Sequence, residues 1–227
     1  MTQPTDRANR ILDAAAELMV RLGYRKVTID DIARRAGIGK GTVYLHWRTK
    51  EQLFEALIMR ESIGVLNGLV EAFRADPTEV LPHRFFARSF LAAMRDPLMK
   101  ALVTGDTELL GSMKQSAHQG QTQRFGDRYR ELIFKHRLLR DDVPDVYMAV
   151  VATATGFHLT DNINPEFAAL DHEAKARALE HTIRNAFEPA GDPDPESLAI
   201  VADEIGNLFD ELNAQFREWI YTPQQRG

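Results

Sequence analysis

Between Val27 and Phe54 the chain places Lys40, Gly41, Thr42, Tyr44, Leu45 and His46 within two turns of helix, a set suited to a polyanion. At about 100° per residue, Val43 and Trp47 fall within about 40° of each other and form the buried side. Gly41 and Leu45 lie opposite, flanked by Lys40 and Tyr44 on one side and by Thr42 and His46 on the other. Lysine, tyrosine, threonine and histidine donate to phosphate oxygens or offer groups to base edges, and the glycine lets the backbone come close. Leucine offers only an apolar contact, for example to a thymine methyl.

Two short elements must hold that face. Thr28 precedes an apolar-periodic run, and Asp30 and Asp31 suit the positive end of a helix dipole, so a helix is expected from about Ile29. Ile32, Ala33 and Ala36 repeat at helical spacing, and Gly37 supplies the left-handed residue that commonly ends a helix. Ile38 turns inward, and a second helix is expected from about Gly39 to Trp47. Thr49-Lys50-Glu51-Gln52 then reads as a capping box for a third. Two short helices across a tight glycine turn have the layout of a helix-turn-helix, whose second helix enters the major groove.

The whole string resembles the N-terminal helix-turn-helix of the TetR family of bacterial transcriptional regulators. The matching elements are Thr28, Asp30-Asp31, Ile32-Ala33, Ala36-Gly37-Ile38, Lys40 to Trp47, and Lys50-Glu51 with Leu53. The resemblance covers roughly residues 7 to 60; beyond that only the helical layout is similar. It implies DNA contacts from Thr28, Thr42, Tyr44, His46 and Lys50, mostly to phosphates, with Lys40, Gly41 and Leu45 facing base edges. Gly39 departs from the family pattern, where a serine often caps the recognition helix, and Leu45 and Trp47 stand where other aromatics are frequent. These departures leave the operator sequence open.

The 227 residues carry a net charge of −5, which by itself argues against a nucleic-acid partner. The charge is unevenly placed: residues 1 to 60 hold +4 and the remainder −9, as expected for a small DNA-binding head on an acidic body. There is no cysteine, so disulfides and thiolate metal sites are excluded. The first ten residues lack the apolar core of a signal peptide. The longest apolar stretch, Val146 to Phe157, is broken by threonines and falls short of the ~20 residues of a membrane span. The expectation is a soluble, cytoplasmic protein with no membrane partner.

Along the chain, Asp6 to Leu22 puts Ile11, Leu12, Ala15, Leu18, Met19 and Leu22 on one face and ends at Gly23, so it should pack behind the two short helices. Tyr24 is similar to the aromatic that follows this glycine in the family and is expected to plug the three-helix core. A long helix from Thr49 to about Ala75 should close at Asp76-Pro77, weakened at Gly64 and Gly68 by roughly 1 kcal/mol each. Helical pieces follow over 81–95, 97–113 and 116–139, dense in aromatics and methionine. Such a stripe is either ordinary core or, as the resemblance implies, the wall of an apolar ligand cavity. The candidate ligand residues are Phe86, Phe90, Met94, Leu102, Met113, Phe125, Tyr129 and His158.

Helices over 144–162 and 171–187 carry small and apolar residues in stripes. In the family such a pair forms a four-helix dimer bundle, although an intramolecular pair shows the same pattern. The candidate dimer residues are Val146, Ala149, Val150, Thr153, Ala154, Phe157, Leu179, Ile183 and Phe187. A linker with three prolines, 188–195, leads to an amphipathic helix of about seven turns at 196–221, which exceeds the minimal family layout.

Catalytic patterns are missing from the sequence. The seven histidines are scattered with no pair at i, i+3 or i, i+4, and no phosphate-binding glycine loop or nucleophile elbow occurs, so no catalytic residue, metal site or cofactor is assigned. His158, three residues before Asp161, reads either as a structural histidine or as one of a buried pair or ligand contact.

Together these readings describe an all-α protein that is not an enzyme. Residues 1–52 form a helix-turn-helix DNA-binding domain, and residues 53–227 form a helical ligand-binding and dimerisation domain with its extra C-terminal helix. The expected function is a homodimeric repressor that binds a palindromic operator in double-stranded DNA and is released by a small apolar or amphipathic ligand. The alternatives are a DNA-binding protein under a protein partner or with an architectural role, and last an enzyme of an unrecognised class.

Overall fold

The computed structural model describes residues 4–110, 119–191 and 193–222, and every regular element among them is a helix. The chain gathers into two compact units. The first comprises residues 1–64, 97–117 and 213–227; the second comprises 65–96 and 118–212.

In the first unit, α1 (Pro4–Leu22), α2 (Ile29–Arg35) and α3 (Lys40–His46) are followed by the first fifteen residues of α4 (Lys50–Ala75). Of the stripe expected on α1, Ile11, Leu12, Ala15, Leu18 and Met19 are buried while Leu22, 39% exposed, is left outside; Ile32, Val43, Trp47, Leu53, Phe54 and Leu57 are buried in the same unit. Full burial of one such side chain stabilises by about 1.5–3 kcal/mol relative to exposure, so this small core holds the three short elements in place. Helix α4 passes Gly64 and Gly68 without a break.

Two later segments also belong to this unit. Helices α6 (Pro97–Thr104) and α7 (Thr107–Leu110) pack on α1. The Tyr24 N–H donates to the Leu109 carbonyl at 2.8 Å, and Gly23, with φ +76°, is so close to α7 that a Cβ there would lie 2.9 Å from the Glu108 carbonyl oxygen. The end of α12 (Pro195–Tyr221) reaches α1 as well, where the Tyr221 hydroxyl donates to Asn9 Oδ1 at 2.7 Å.

The second unit contains the end of α4, a 3-10 turn (Pro77–Val80), α5 (Pro82–Arg95), α8 (Gln119–Lys135), α9 (Val146–Ile163), α10 (Pro165–Ala168), α11 (His172–Phe187) and most of α12. Helix α11 lies along α5. Their ends are pinned by a buried cluster in which both oxygens of Glu188 meet His83 Nδ1, at 3.0 and 2.8 Å, while Arg184 donates at 3.0 Å and the His83 N–H at 2.6 Å.

This packing takes five of the nine residues of the expected dimer stripe into the core. Val146, Val150, Ala154, Leu179 and Ile183 are buried in the unit's own core, with Phe157 and Phe187 packed against it, and Ala149 and Thr153 are half-buried. Helix α9 is apolar on nearly all sides, so its most regular stripe marks the face used inside the subunit. The large apolar residues left outside on α9 are Met148, 62% exposed, Val151, 40%, and Ile163, 71%.

Candidate nucleic-acid interface

Thr28 starts the site. Its hydroxyl accepts from the Asp31 N–H at 3.2 Å and lies 2.6 Å from Asp31 Oδ2, which in turn accepts from the Thr28 N–H at 3.2 Å. This reciprocal box fixes the start of α2 and holds the Asp31 carboxyl below the usual carboxylate range, chiefly through the Thr28 hydroxyl. Gly37 takes φ +68° and lets the Ile38 N–H return to the Ala33 carbonyl at 3.0 Å. Gly39 then starts α3 without a side-chain cap.

Val43 and Trp47 face inward at 0% and 1% exposure, as the helical wheel requires. Trp47 leaves the helix in an extended conformation, its indole Nε1 buried without a hydrogen-bond partner. The outer face carries the exposed Lys40 and Gly41, Tyr44 at 43% and Leu45 at 69% exposure, with Thr42 and His46 half-buried at its edges. An exposed leucine beside an exposed tyrosine on a seven-residue helix has no use in the protein's own packing.

Two cations of the expected set have internal partners. Lys40 Nζ donates to Asp30 Oδ2 at 2.9 Å, which raises its pKa. The pair is exposed, so it exchanges readily with an external anion. Lys50 is turned inward, with Nζ 2.6 Å from the Tyr24 carbonyl oxygen and 4.2 Å from the centre of the Tyr24 ring, and burial lowers its pKa. Lys50, expected to reach a phosphate, thus has its ammonium bonded inside the unit in this structure. Its long stem packs favourably on the apolar rings while the ammonium keeps a carbonyl partner. His46 lies against Trp47, ring centres 5.4 Å apart, and burial followed by the charge of Arg7 lowers its pKa, which favours the neutral ring.

The capping box expected at Thr49 forms in part. Thr49 accepts from the Gln52 N–H at 3.1 Å, but the Gln52 side chain serves the Arg48 N–H at 2.9 Å. Arg25, Lys26 and Arg48, exposed in the turns flanking the two short helices, were not marked by the sequence reading, because single cations in turns carry no periodic signal.

Residues 11–57 match the family model of bacterial regulatory proteins, tetR family. The head belongs to the TetR family. Its match runs from α1 into the first turns of α4, and so covers every element that positions the α3 face. The activator FasR of Mycolicibacterium smegmatis is 35% identical over 69 residues, 30% of this chain and 32% of its own length. The repressor KstR2 of the same organism is 33% identical over 89 residues, 38% of this chain and 43% of its own. The chain thus spans about a third to two fifths of these relatives. Fold similarity reaches further: the crystal structure of SCO4942 from Streptomyces coelicolor superposes with a TM-score of 0.55 at 25% identity, over 80% of this chain and 98% of that one.

The candidate ligand residues divide. Phe86, Phe125 and Tyr129 join one ring cluster with Phe73, Phe85 and Phe209 in the second unit. Phe90 and His158 form a separate contact, ring centres 5.0 Å apart, and Met94 is buried. Leu102 is half-buried on α6 and belongs to the first unit, whereas the rings belong to the second; the sequence grouped it with them because its helix reads as apolar on either assignment. Met113 lies outside the described residues. The pairing of His158 with Asp161 is not formed, since Asp161 bonds Lys175 of α11, and His158 Nδ1 is buried without a partner, its pKa lowered by burial. Among the described residues, no cluster of three or more acidic or histidine side chains is arranged to hold a metal, and no helix is long and apolar enough to cross a membrane.

Proposed function

We propose that this chain is a cytoplasmic DNA-binding transcriptional regulator that acts as a homodimer on a palindromic operator and is released by a small molecule. The observation that carries the reading is the outer face of α3, where Lys40, Gly41, Tyr44 and Leu45 stand exposed on a helix whose other side is locked by Val43 and Trp47. One such helix reads only a few base pairs. Two copies related by a two-fold axis double the contacts, on half-sites about 34–36 Å apart or a little more.

Repression is the form proposed, since occupancy of the operator is sufficient for it, whereas activation needs a further contact with polymerase. Both signs occur among the named relatives, FasR being an activator and KstR2 a repressor. The exposed Met148, Val151 and Ile163 of α9 support dimerisation through that face, and the ring cluster around Tyr129 supports an apolar ligand. Release follows if the ligand prefers the form that does not bind DNA, and its differential affinity limits the shift. Helix α4, with residues in both units, is the natural connection.

The test is Tyr44→Ala in the full chain, titrated onto operator DNA selected from the host genome. Affinity should fall about 5- to 150-fold, the worth of one good base or phosphate contact of 1–3 kcal/mol, with the dimer unchanged in light scattering. Equal affinity of the two proteins removes the site assignment.

A further inference from the structure

Six aromatic residues meet in the second unit. Phe85 lies 5.0 Å from Tyr129 and 5.2 Å from Phe86, Phe125 lies 4.9 Å from Phe209, and Phe73 lies 5.7 Å from Phe209, measured between ring centres. The floor of the cluster is closed, with Tyr129, Phe73 and Phe209 buried, while Phe85, Phe86 and Phe125 remain partly open to solvent. On α8 the packing is loose next to Tyr129: a Cβ added at Gly126, three residues earlier, would meet nothing within 4 Å.

The Tyr129 hydroxyl is the anomaly. The residue is 4% exposed, yet its oxygen has no hydrogen-bond partner, although buried hydroxyls are almost always satisfied. Its charged neighbours are already engaged. Glu188, the carboxylate that acts on it, is held by His83 and Arg184. Burial raises the phenol well above its ordinary pKa, so the proton stays on and the group remains a donor.

We infer that Tyr129 is the polar anchor of a binding site for a neutral, flat aromatic or polycyclic molecule with one hydrogen-bonding oxygen, stacked against the partly open Phe85, Phe86 and Phe125. The rings pack on one another, and the three partly open ones offer apolar faces and edges to a ligand. The hydroxyl supplies the one directional bond, which a ligand oxygen completes. A charged ligand is disfavoured, because among the described residues the cluster offers no free counter-ion and desolvation of the charge would go uncompensated. This inference deepens the proposed small-molecule control and rests on it.

Three probes with the same rings test it by equilibrium dialysis against the full-length protein: naphthalene, 2-naphthol and 2-naphthoate. The wild type should bind 2-naphthol at least about tenfold more tightly than naphthalene, since a site with a buried donor rejects the analogue that leaves it unpaired, and should bind 2-naphthoate more weakly than 2-naphthol. Tyr129→Phe should bring 2-naphthol down to the affinity of naphthalene and leave naphthalene unchanged. Phe125→Leu should weaken both.

Equal binding of 2-naphthol by wild type and Tyr129→Phe, tightest binding of 2-naphthoate, or no binding of any of the three overturns the assignment. Release of the operator complex by 2-naphthol equally in both proteins also overturns the anchor, while leaving ligand control intact. Loss of 2-naphthol binding in Tyr129→Phe with an operator complex that 2-naphthol never moves sustains the anchor and overturns ligand control.

Discussion

The ammonium of Lys50 rests 4.2 Å from the centre of the Tyr24 ring and donates to the carbonyl of the same residue at 2.6 Å. Tyr24 in turn meets Phe54 edge to face, ring centres 5.1 Å apart, and its hydroxyl donates to Glu51 at 3.0 Å. The turn after α1 is thus tied to the first turn of α4 by a lysine that, on sequence grounds, was expected to reach outward.

Lys50→Met should therefore act on stability first. Loss of the cation–π contact and of the bond to the carbonyl should cost the head about 1 kcal/mol in urea denaturation. The dependence of operator affinity on salt should keep its slope. A slope smaller by about one unit, the signature of a lost phosphate contact, would return Lys50 to the DNA interface.

Alkaline pH should loosen the same junction. Burial, then the hydrogen bond to Glu51, pushes the Tyr24 phenol up to about 12 from an ordinary 10.0. Between those values the unfolded chain gives up the proton and the folded one keeps it, so this contribution is complete below about pH 10 and is lost as pH rises toward 12. Tyr24→Phe should flatten that part of the stability profile, read by denaturant midpoints from pH 8 to 12.

Gly23 is predicted to tolerate no side chain. Alanine there would adopt φ +76° and place its Cβ 2.9 Å from a backbone oxygen of α7, which cannot swing away as a side chain would. Gly23→Ala should destabilise by about 1–3 kcal/mol, whereas Gly37→Ala, with φ +68° and open space around it, should cost only the backbone term. Paired thermal melts compare them; equal losses would show that α7 yields.

For the dimer, the prediction follows the exposed face of α9. Val151→Glu, on a residue 40% exposed, should shift the protein toward monomer in light scattering with the helical circular dichroism unchanged. Val150→Ala, on a residue at 0% exposure in the core, should lower stability by about 0.5–1.5 kcal/mol or more without altering the dimer constant. The reverse pattern would restore the stripe first expected from the sequence.

Much of the head was legible from residue order because its signals are local. A cap, a glycine and a helical repeat act within four residues of one another, so Thr28, Gly37 and the Val43–Trp47 pair specify two short helices and their inner side without reference to the rest of the chain. The long helix ending at Ala75 and the last one ending at Tyr221 follow from the same local periodicity.

Tertiary structure decided what periodicity leaves degenerate. A helix apolar on most sides, such as α9, can bury either face, and only its packing on α5 and α11 selects Val146, Val150 and Ala154 for the core. A flexible side chain such as Lys50 takes the partner that the fold brings near, here a residue 26 positions away. The approach of α7 to Gly23, the binding of Asp161 by Lys175, and the unpartnered hydroxyl of Tyr129 among five phenylalanines likewise depend on contacts between elements distant in sequence. Such contacts are set by which surfaces exclude water together, and residue order alone does not encode that choice.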